Sequence, residues 1–271
     1  VKTRIAINGA AGRMGQRLVC LAHEDPQLHL VAGLEAPGHP GLGRDIGEVA
    51  GVGALGIILQ DQLPLALDLD VVIDFSSPAG TMAVLPKCVE RRIPLVLATT
   101  GFSAEQRQEI DAASHQTAIL RSPNMSLSVN VLFDLVERAA HLLAGRDFDV
   151  EIVERHHRFK KDAPSGTALH FARLIQQAMG QPELRHGREG LVGERPRGEI
   201  GMHALRVGDN VGEHTIIFSA LGETLELVHR AHTRDSYARG ALQAAKFLAG
   251  KPAGSYSMKD VLGLGSSGPN E

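Results

Sequence analysis

In Arg4-Ile-Ala-Ile-Asn-Gly9-Ala-Ala-Gly12-Arg-Met-Gly15 a short apolar run ends in a glycine-rich turn. The run reads as a buried strand, and a helical pattern from Met14 to Ala22 comes next, closing before Asp25-Pro26. Strand, glycine turn and helix form the context that gives a glycine pattern meaning as a dinucleotide fingerprint. Glycines let backbone approach a pyrophosphate, and a helix N-terminus stabilises its charge. Ala11 stands where a second glycine is usual, so the turn alone also fits a plain tight bend.

Outward from this turn the pattern repeats. Leu28 to Leu34 reads as a second strand and ends in Glu35. A carboxylate there can accept from the diol of an adenosine ribose and would repel a 2′-phosphate, although an ordinary exposed acid looks the same. Val71-Val-Ile-Asp-Phe75 is a third strand, and Ser76-Ser-Pro-Ala opens a helix to Arg91. Leu95 to Gly101 is a fourth, Ser103 and Gln106 make a capping box for a helix to about Ser114, and Ala118-Ile-Leu120 is a fifth. Alternation of this kind calls for a doubly wound parallel sheet with ligands at the carboxyl ends of its strands. Those ends carry the turns at Gly9, Glu35, Phe75, Thr99 and Asn124.

After an amphipathic helix over 128–144, strand patterns at 148–154, 200–207, 213–220 and 224–231 predict a second, mixed or antiparallel sheet. Residues 181–198, rich in Gly, Arg, Glu and Pro, read as a long exposed loop. Tyr237 to Ala249 is helical, Met258-Lys-Asp-Val-Leu262 forms a last turn, and Gly265 to Glu271 a frayed tail. The expected class is α/β: a Rossmann-type doubly wound parallel sheet plus a smaller α+β domain with a mixed open sheet. An apolar sheet face of this kind commonly serves as an oligomer interface.

The densest chemistry lies in Glu151-Ile-Val-Glu-Arg-His-His-Arg-Phe-Lys-Lys-Asp-Ala-Pro-Ser-Gly-Thr167. Five basic side chains, His156, His157, Arg158, Lys160 and Lys161, stand between a strand and a helix start. Apolar positions from Ala168 to Met179 recur at helical spacing, with Gly180 as the stop. Charge from the loop and backbone donors near Gly166 and Thr167 make an anion site, for a dicarboxylate or a phosphate. The histidines add proton donors suited to neutral pH. A solvated basic turn is the bland alternative. Metal ligation by the histidines finds no cysteine or HExxH spacing to support it, so no metal is expected.

Glu154-x-His-His-x-x-Lys-x-Asp-Ala-Pro-Ser-Gly-Thr-Ala168 resembles the signature of the dihydrodipicolinate reductase family. The resemblance extends through Val207-Gly-Asp-x-Val-Gly-Glu-His214-Thr to Met258-x-Asp-Val-Leu262. It implies a reductase of the diaminopimelate route to lysine that acts on a cyclic dicarboxylate. His156 and Lys160 then match the proton donors, and His157, Gly166 and Thr167 the substrate ligands. Gly9, Ala10, Ala11, Gly12, Arg13 and Met14 match the pyrophosphate turn, and Glu35 the ribose acid. Ala98, Thr99 and Thr100 match the segment lining the nicotinamide, and Ser122, Pro123, Asn124 and Met125 a further cofactor-contacting turn. The implied division is 1–126 with 237–271 for the dinucleotide and 127–236 for substrate and oligomerisation, as a cytoplasmic homotetramer. Two departures stand out. Ala36 replaces an arginine that some members carry after the ribose acid, so NADH is expected to be preferred, or used alongside NADPH. Met125 stands where many have phenylalanine.

The whole composition narrows the classes further. The 271 residues suffice for two modest domains or one large α/β domain, the 43% hydrophobic content is enough for a real core, and the net charge of −3 points away from nucleic acid as a partner. No apolar run is long enough to span a bilayer. With a strand pattern from Thr3, no leader segment is expected. Cys20 and Cys88 sit among apolar neighbours in helical patterns, which predicts buried, reduced thiols.

Overall fold

A computed structural model describes residues 2–264. The chain divides into two compact units, Val1–Leu127 with Asp235–Glu271, and Ser128–Arg234. In the first, strands and helices alternate: β1 (Thr3–Asn8), α1 (Arg13–Glu24), β2 (Leu28–Leu34), α2 (Ile46–Ala50), β3 (Leu59–Gln60), β4 (Val71–Asp74), α3 (Pro78–Glu90), β5 (Leu95–Leu97), α4 (Ala104–Ser114) and β6 (Ala118–Arg121). The capping box suggested by the sequence at Ser103 is present, and Ser77 caps α3 as well. Ser77 Oγ accepts from the Gly80 amide at 3.1 Å, and Ser103 and Gln106 close a reciprocal capping box.

The second unit holds α5 (Leu127–Leu143), β7 (Asp149–His156), α6 (Gly166–Met179), β8 (Glu183–His186), β9 (Glu199–Arg206), β10 (Gly212–Ala220) and β11 (Glu223–Ala231). Its sheet runs β11-β10-β7-β9-β8 and is mixed, antiparallel at β11/β10/β7 and parallel at β7/β9/β8. Val150, Ile152, Ile200, Ile216 and Phe218 form its buried face against Val129, Phe133, Phe171 and Ile175. Gly180 ends α6 in the left-handed region at φ 67°, where a Cβ would be strained.

One expectation fails here. The stretch 181–198 is not wholly a loop, because Glu183–His186 forms the edge strand β8, parallel to β9. A single apolar residue, Leu184, gave that strand no visible period. Ion pairs anchor the segment between β8 and β9: Arg188 and Arg195 both reach Glu151, and Arg188 also bonds Glu199. Gly201 permits this, since a Cβ there would collide with the Glu151 carboxylate.

The chain then adds α7 (Asp235–Leu248), β12 (Gly254–Tyr256) and α8 (Met258–Val261) to the first unit. Its sheet runs β12-β6-β5-β4-β1-β2-β3, and every pairing is parallel. This is the doubly wound order, with the strand direction of travel reversing between β1 and β4. Short β3 and β12 extend the five strands expected from sequence to seven. One core lies between the sheet and α1 and α7, around Ile5, Ile7, Leu18 and Ala241. A second lies beneath α3 and α4, around Leu85, Cys88, Leu95 and Ile110. Both cysteines are free and buried, and burial pushes the Cys88 thiol up to about 12. The expected tail, Gly265 to Glu271, lies outside the described residues.

Candidate active site

The glycine turn leaves β1 with Gly9 at φ 82°, and a Cβ there would stand 2.6 Å from the Phe75 carbonyl oxygen. The Gly9 and Ala10 amides are committed to the Leu34 carbonyl, each at 2.9 Å, which ties the turn to β2. The Gly12 amide bonds Gly9 oxygen at 3.1 Å, and Gly12 then precedes α1 with no side chain capping the helix. The uncapped first turn, starting at Arg13 and Met14, is therefore where an anion finds backbone donors. Ala11 points its amide elsewhere, to Oε2 of Glu35 at 3.1 Å, while Oε1 accepts from the Ala36 amide at 3.0 Å.

A cleft of about 560 Å³ opens here in the first unit, lined by Gly9, Gly12, Glu35, Ala36, Phe75 and Lys87 among others. A nucleotide fits this chemistry: an open helix end, a turn where a Cβ cannot be placed, and a carboxylate at the end of β2. Ala98 to Thr100 and Ser122 to Met125 come after the neighbouring strands β5 and β6, outside the lining of this cleft. Ser122 Oγ donates to Asn124 oxygen at 2.7 Å and holds that turn tight, while Met125 is buried in the first core.

Sequence reasoning missed the buried carboxylate between these turns. Asp74 is fully buried and accepts from Asn8 Nδ2 at 3.2 Å, from the Ser76 amide at 3.0 Å, and from Thr81 Oγ1. Burial raises its carboxyl above the ordinary range, against the pull of Ser76 and Thr81. The Ser76 amide also reaches Thr99 Oγ1 at 3.1 Å, linking the ends of β4 and β5. The polar residue ending the apolar run Val71-Val-Ile-Asp was the available signal.

In the second unit the His156 ring is buried, with Nδ1 2.5 Å from Oε2 of Glu154. Glu154 also accepts from both terminal nitrogens of Arg206 at 2.8 Å and from the Ser165 amide at 3.0 Å. Burial alone would raise the Glu154 carboxyl, but the His156 and Arg206 bonds outweigh it and hold it at about 2. Arg206 donates further to the Asp162 carbonyl at 2.7 Å, and Lys160 Nζ bonds both Asp162 carboxylate oxygens at 2.8 and 2.9 Å. Ser165 starts α6, its Oγ accepting from the Ala168 amide at 3.2 Å. Gly166 and Thr167 thus occupy the first turn of that helix, where backbone donors lack intrahelical acceptors. His157 directs its ring towards Phe159, with centroids 6.2 Å apart.

Two histidines outside the basic loop join this group. His214 is packed 5.4 Å from the His156 ring and 6.3 Å from His229, with Nε2 3.3 Å from Ser165 Oγ. Burial foremost, with His156 and His229 packed against it, pushes His214 down to about 3, so it stays neutral. Among the described residues no group of His, Cys, Asp or Glu is arranged to hold a metal, and no helix is long and apolar enough to cross a membrane.

Two family models cover the chain: the dihydrodipicolinate reductase N-terminus matches residues 3–125 and the dihydrodipicolinate reductase C-terminus residues 128–262. The chain belongs to the dihydrodipicolinate reductase family. It is 46% identical over 264 residues to the 4-hydroxy-tetrahydrodipicolinate reductase of Syntrophus aciditrophicus (strain SB), covering 96% of this chain and 98% of that protein. To the enzyme of the same name from Anaeromyxobacter sp. (strain Fw109-5) it is 47% identical over 267 residues, 97% of this chain and 98% of that one. The fold is also that of the dipicolinate-bound dihydrodipicolinate reductase from Paenisporosarcina sp. TG-14, at TM-score 0.75 and 24% identity over 95% of this chain and 98% of that one. The resemblance first seen in the His-His-x-x-Lys loop therefore extends over both halves of the chain.

Proposed function

We propose that this enzyme reduces 4-hydroxy-tetrahydrodipicolinate to tetrahydrodipicolinate in lysine biosynthesis, with NAD(P)H as hydride donor. The overall change consumes one hydride and one proton and releases one water and the oxidised nucleotide. One observation carries the reading: in the second unit an anchored histidine, a lysine and a helix N-terminus are gathered on a single loop.

In this reading Arg13 and Met14 hold the pyrophosphate at the start of α1, and Glu35 accepts from the ribose. The bound reduced nicotinamide supplies the hydride. Gly166, Thr167 and His157 hold a substrate carboxylate, and Lys160 exchanges Asp162 for the dianion. His156 donates the proton that balances the arriving hydride, because its Nδ1 is occupied by Glu154 and its Nε2 remains for the substrate. Glu35 without a basic neighbour at Ala36 supports NADH as preferred or dual cofactor. Exposed Leu205, Val207, Leu225 and Val228 on and beside β9 and β11 support the proposal of a homotetramer.

Steady-state kinetics with the cyclic dicarboxylate and each reduced nucleotide test the reading. Turnover dependent on both substrates is expected. A protein that binds NADH but leaves the dicarboxylate unreduced would be a nucleotide-binding protein of another kind.

A further inference from the structure

The arrangement around Glu154 goes beyond what an ion pair requires. Glu154 and His156 are two residues apart on β7 and so share one face of the sheet. The register sets Arg206 of β9 beside His156 and His214 of β10 beside Glu154, so four polar side chains meet on that face. Arg206 alone would satisfy the buried carboxylate with its two parallel bonds. The carboxylate nevertheless also takes the His156 ring and the Ser165 amide.

We propose that Glu154 is a positioning residue: its carboxylate fixes the tautomer of His156 and, through Arg206 and Ser165, holds the Lys160 turn and the start of α6 in one geometry with that ring. This rests on the reading of His156 as proton donor. An ionised carboxylate only accepts, so Nδ1 must carry a hydrogen whether the ring is neutral or charged. The exchangeable proton is then confined to Nε2, the nitrogen turned away from Glu154. A wrong tautomer is costly for an acid–base histidine because the proton stands on the wrong side of the ring. The other groups facing the ring are consistent with this. Arg206 balances the charge of Glu154, and neutral His214 adds none from β10. Lys160, in the turn beyond the ring, is itself paired with Asp162.

The same carboxylate also sets distances. From Glu154 one path runs through Arg206 to the Asp162 carbonyl, next to the acid that holds Lys160. A second path runs directly to the amide of Ser165, the residue that caps α6. Proton donor, ammonium and anion-binding helix end are therefore referred to one buried side chain.

Nitrogen-15 NMR of labelled histidine in the full-length protein reads the tautomer without requiring turnover. At a pH where His156 is neutral, the wild type should show hydrogen on Nδ1, and Glu154→Gln should show a mixture or the opposite form. The kcat of Glu154→Gln should fall about 100-fold, in the range of a lost acid–base function, with a much smaller change in KM. In a His156→Ala background the same substitution should cost far less kcat than in the wild type, the remainder coming from the loosened Lys160 turn. Hydrogen on Nε2 in the wild type overturns the proposal, as does an equal loss of kcat in both backgrounds, which would mark Glu154 as merely structural. Should Glu154→Gln not fold, the wild-type spectrum still decides the tautomer. Glu154→Asp, which keeps the charge one methylene short, should then lose kcat while retaining KM. If His156→Ala keeps full kcat, the assignment of the proton donor fails separately, whatever the tautomer.

Discussion

The amide of Ala11 donates to Oε2 of Glu35 at 3.1 Å, which ties the glycine turn to the acid at the end of β2. The carboxylate thus stands beside the helix end expected to hold a pyrophosphate, and a second phosphate on the ribose would meet its charge. Ala36 offers nothing to offset that repulsion. The enzyme should therefore use NADH at least as well as NADPH. Ala36→Arg should raise the NADPH-to-NADH ratio of kcat/KM by about tenfold, equivalent to about 1.4 kcal/mol, and Glu35→Gln should move it the same way. Wild-type kinetics that favour NADPH tenfold would refute this account of the pair.

Gly15 supports the same turn from the helix side. A Cβ there would run into the Gly9 carbonyl oxygen and the Ala10 backbone, with no flexible side chain to yield. Gly15→Ala should cost about 1–3 kcal/mol in stability, the usual scale of overpacking, and weaken NADH binding because the turn must shift. Thermal melting and a fluorescence titration with NADH measure the two effects. An unchanged melting temperature with unchanged affinity would show that α1 can move away freely.

The glycine turn, Glu35 and the capped helices were legible because each rests on local chemistry: a left-handed φ, a strand end, a hydroxyl three residues before an amide. The His-His-x-x-Lys loop was legible for the same reason. What remained hidden depends on pairing at a distance. Strand β8 has one apolar residue and exists by pairing with β9, and the segment after it is anchored by Arg188 and Arg195 to Glu151 and Glu199, which no periodicity reveals. Strand β12 is three residues long and exists by pairing with β6, far away in sequence. His214 and Arg206 reach the loop only because β10 and β9 flank β7, an order that strand patterns alone do not specify.

The second unit should lose stability on acidification in two separable windows. His214 is held at about 3 in the fold against an ordinary 6.5, so the unfolded chain takes up its proton first, and stability declines as pH falls from 6.5 towards 3. His229 is shifted in the same direction, again by burial. Glu154 and Glu151 are both held at about 2 against 4.5; burial opposes this, and their basic partners prevail. Their contribution is complete above pH 4.5 and disappears as pH falls towards 2. His214→Gln should flatten the slope of unfolding free energy between pH 6.5 and 4.5, and Glu151→Gln only the slope below 4.5. Denaturant titrations across the range provide the measurement, and a wild-type slope above pH 4.5 in His214→Gln would contradict it.

Within the basic loop the variants should differ in kind. His156 has one nitrogen on Glu154 and one left for chemistry, so His156→Ala should lower kcat and kcat/KM together, by roughly 10²–10⁴-fold. His157 turns its ring towards Phe159 and is read as a carboxylate ligand, so His157→Ala should raise KM and largely spare kcat. Thr167→Ala should also act chiefly on KM, because the backbone donors of the α6 start survive the change. Lys160 should affect both constants, since its charge attracts the dianion and then stands beside the reacting ring. Its pairing with Asp162 gives a sharper test. A bound dianion must displace that acid, so Asp162→Asn should lower KM for the dicarboxylate by removing both a competitor and a repelling charge. The Asp162 carbonyl that receives Arg206 is backbone and survives the substitution, so kcat should change little. If Asp162→Asn raises KM, or His156→Ala changes KM alone, the loop is only an anion clamp and the proton must come from elsewhere. Of the other candidates, His214, His229 and water, both histidines are shifted down by burial, His214 to about 3, which leaves water as the better source.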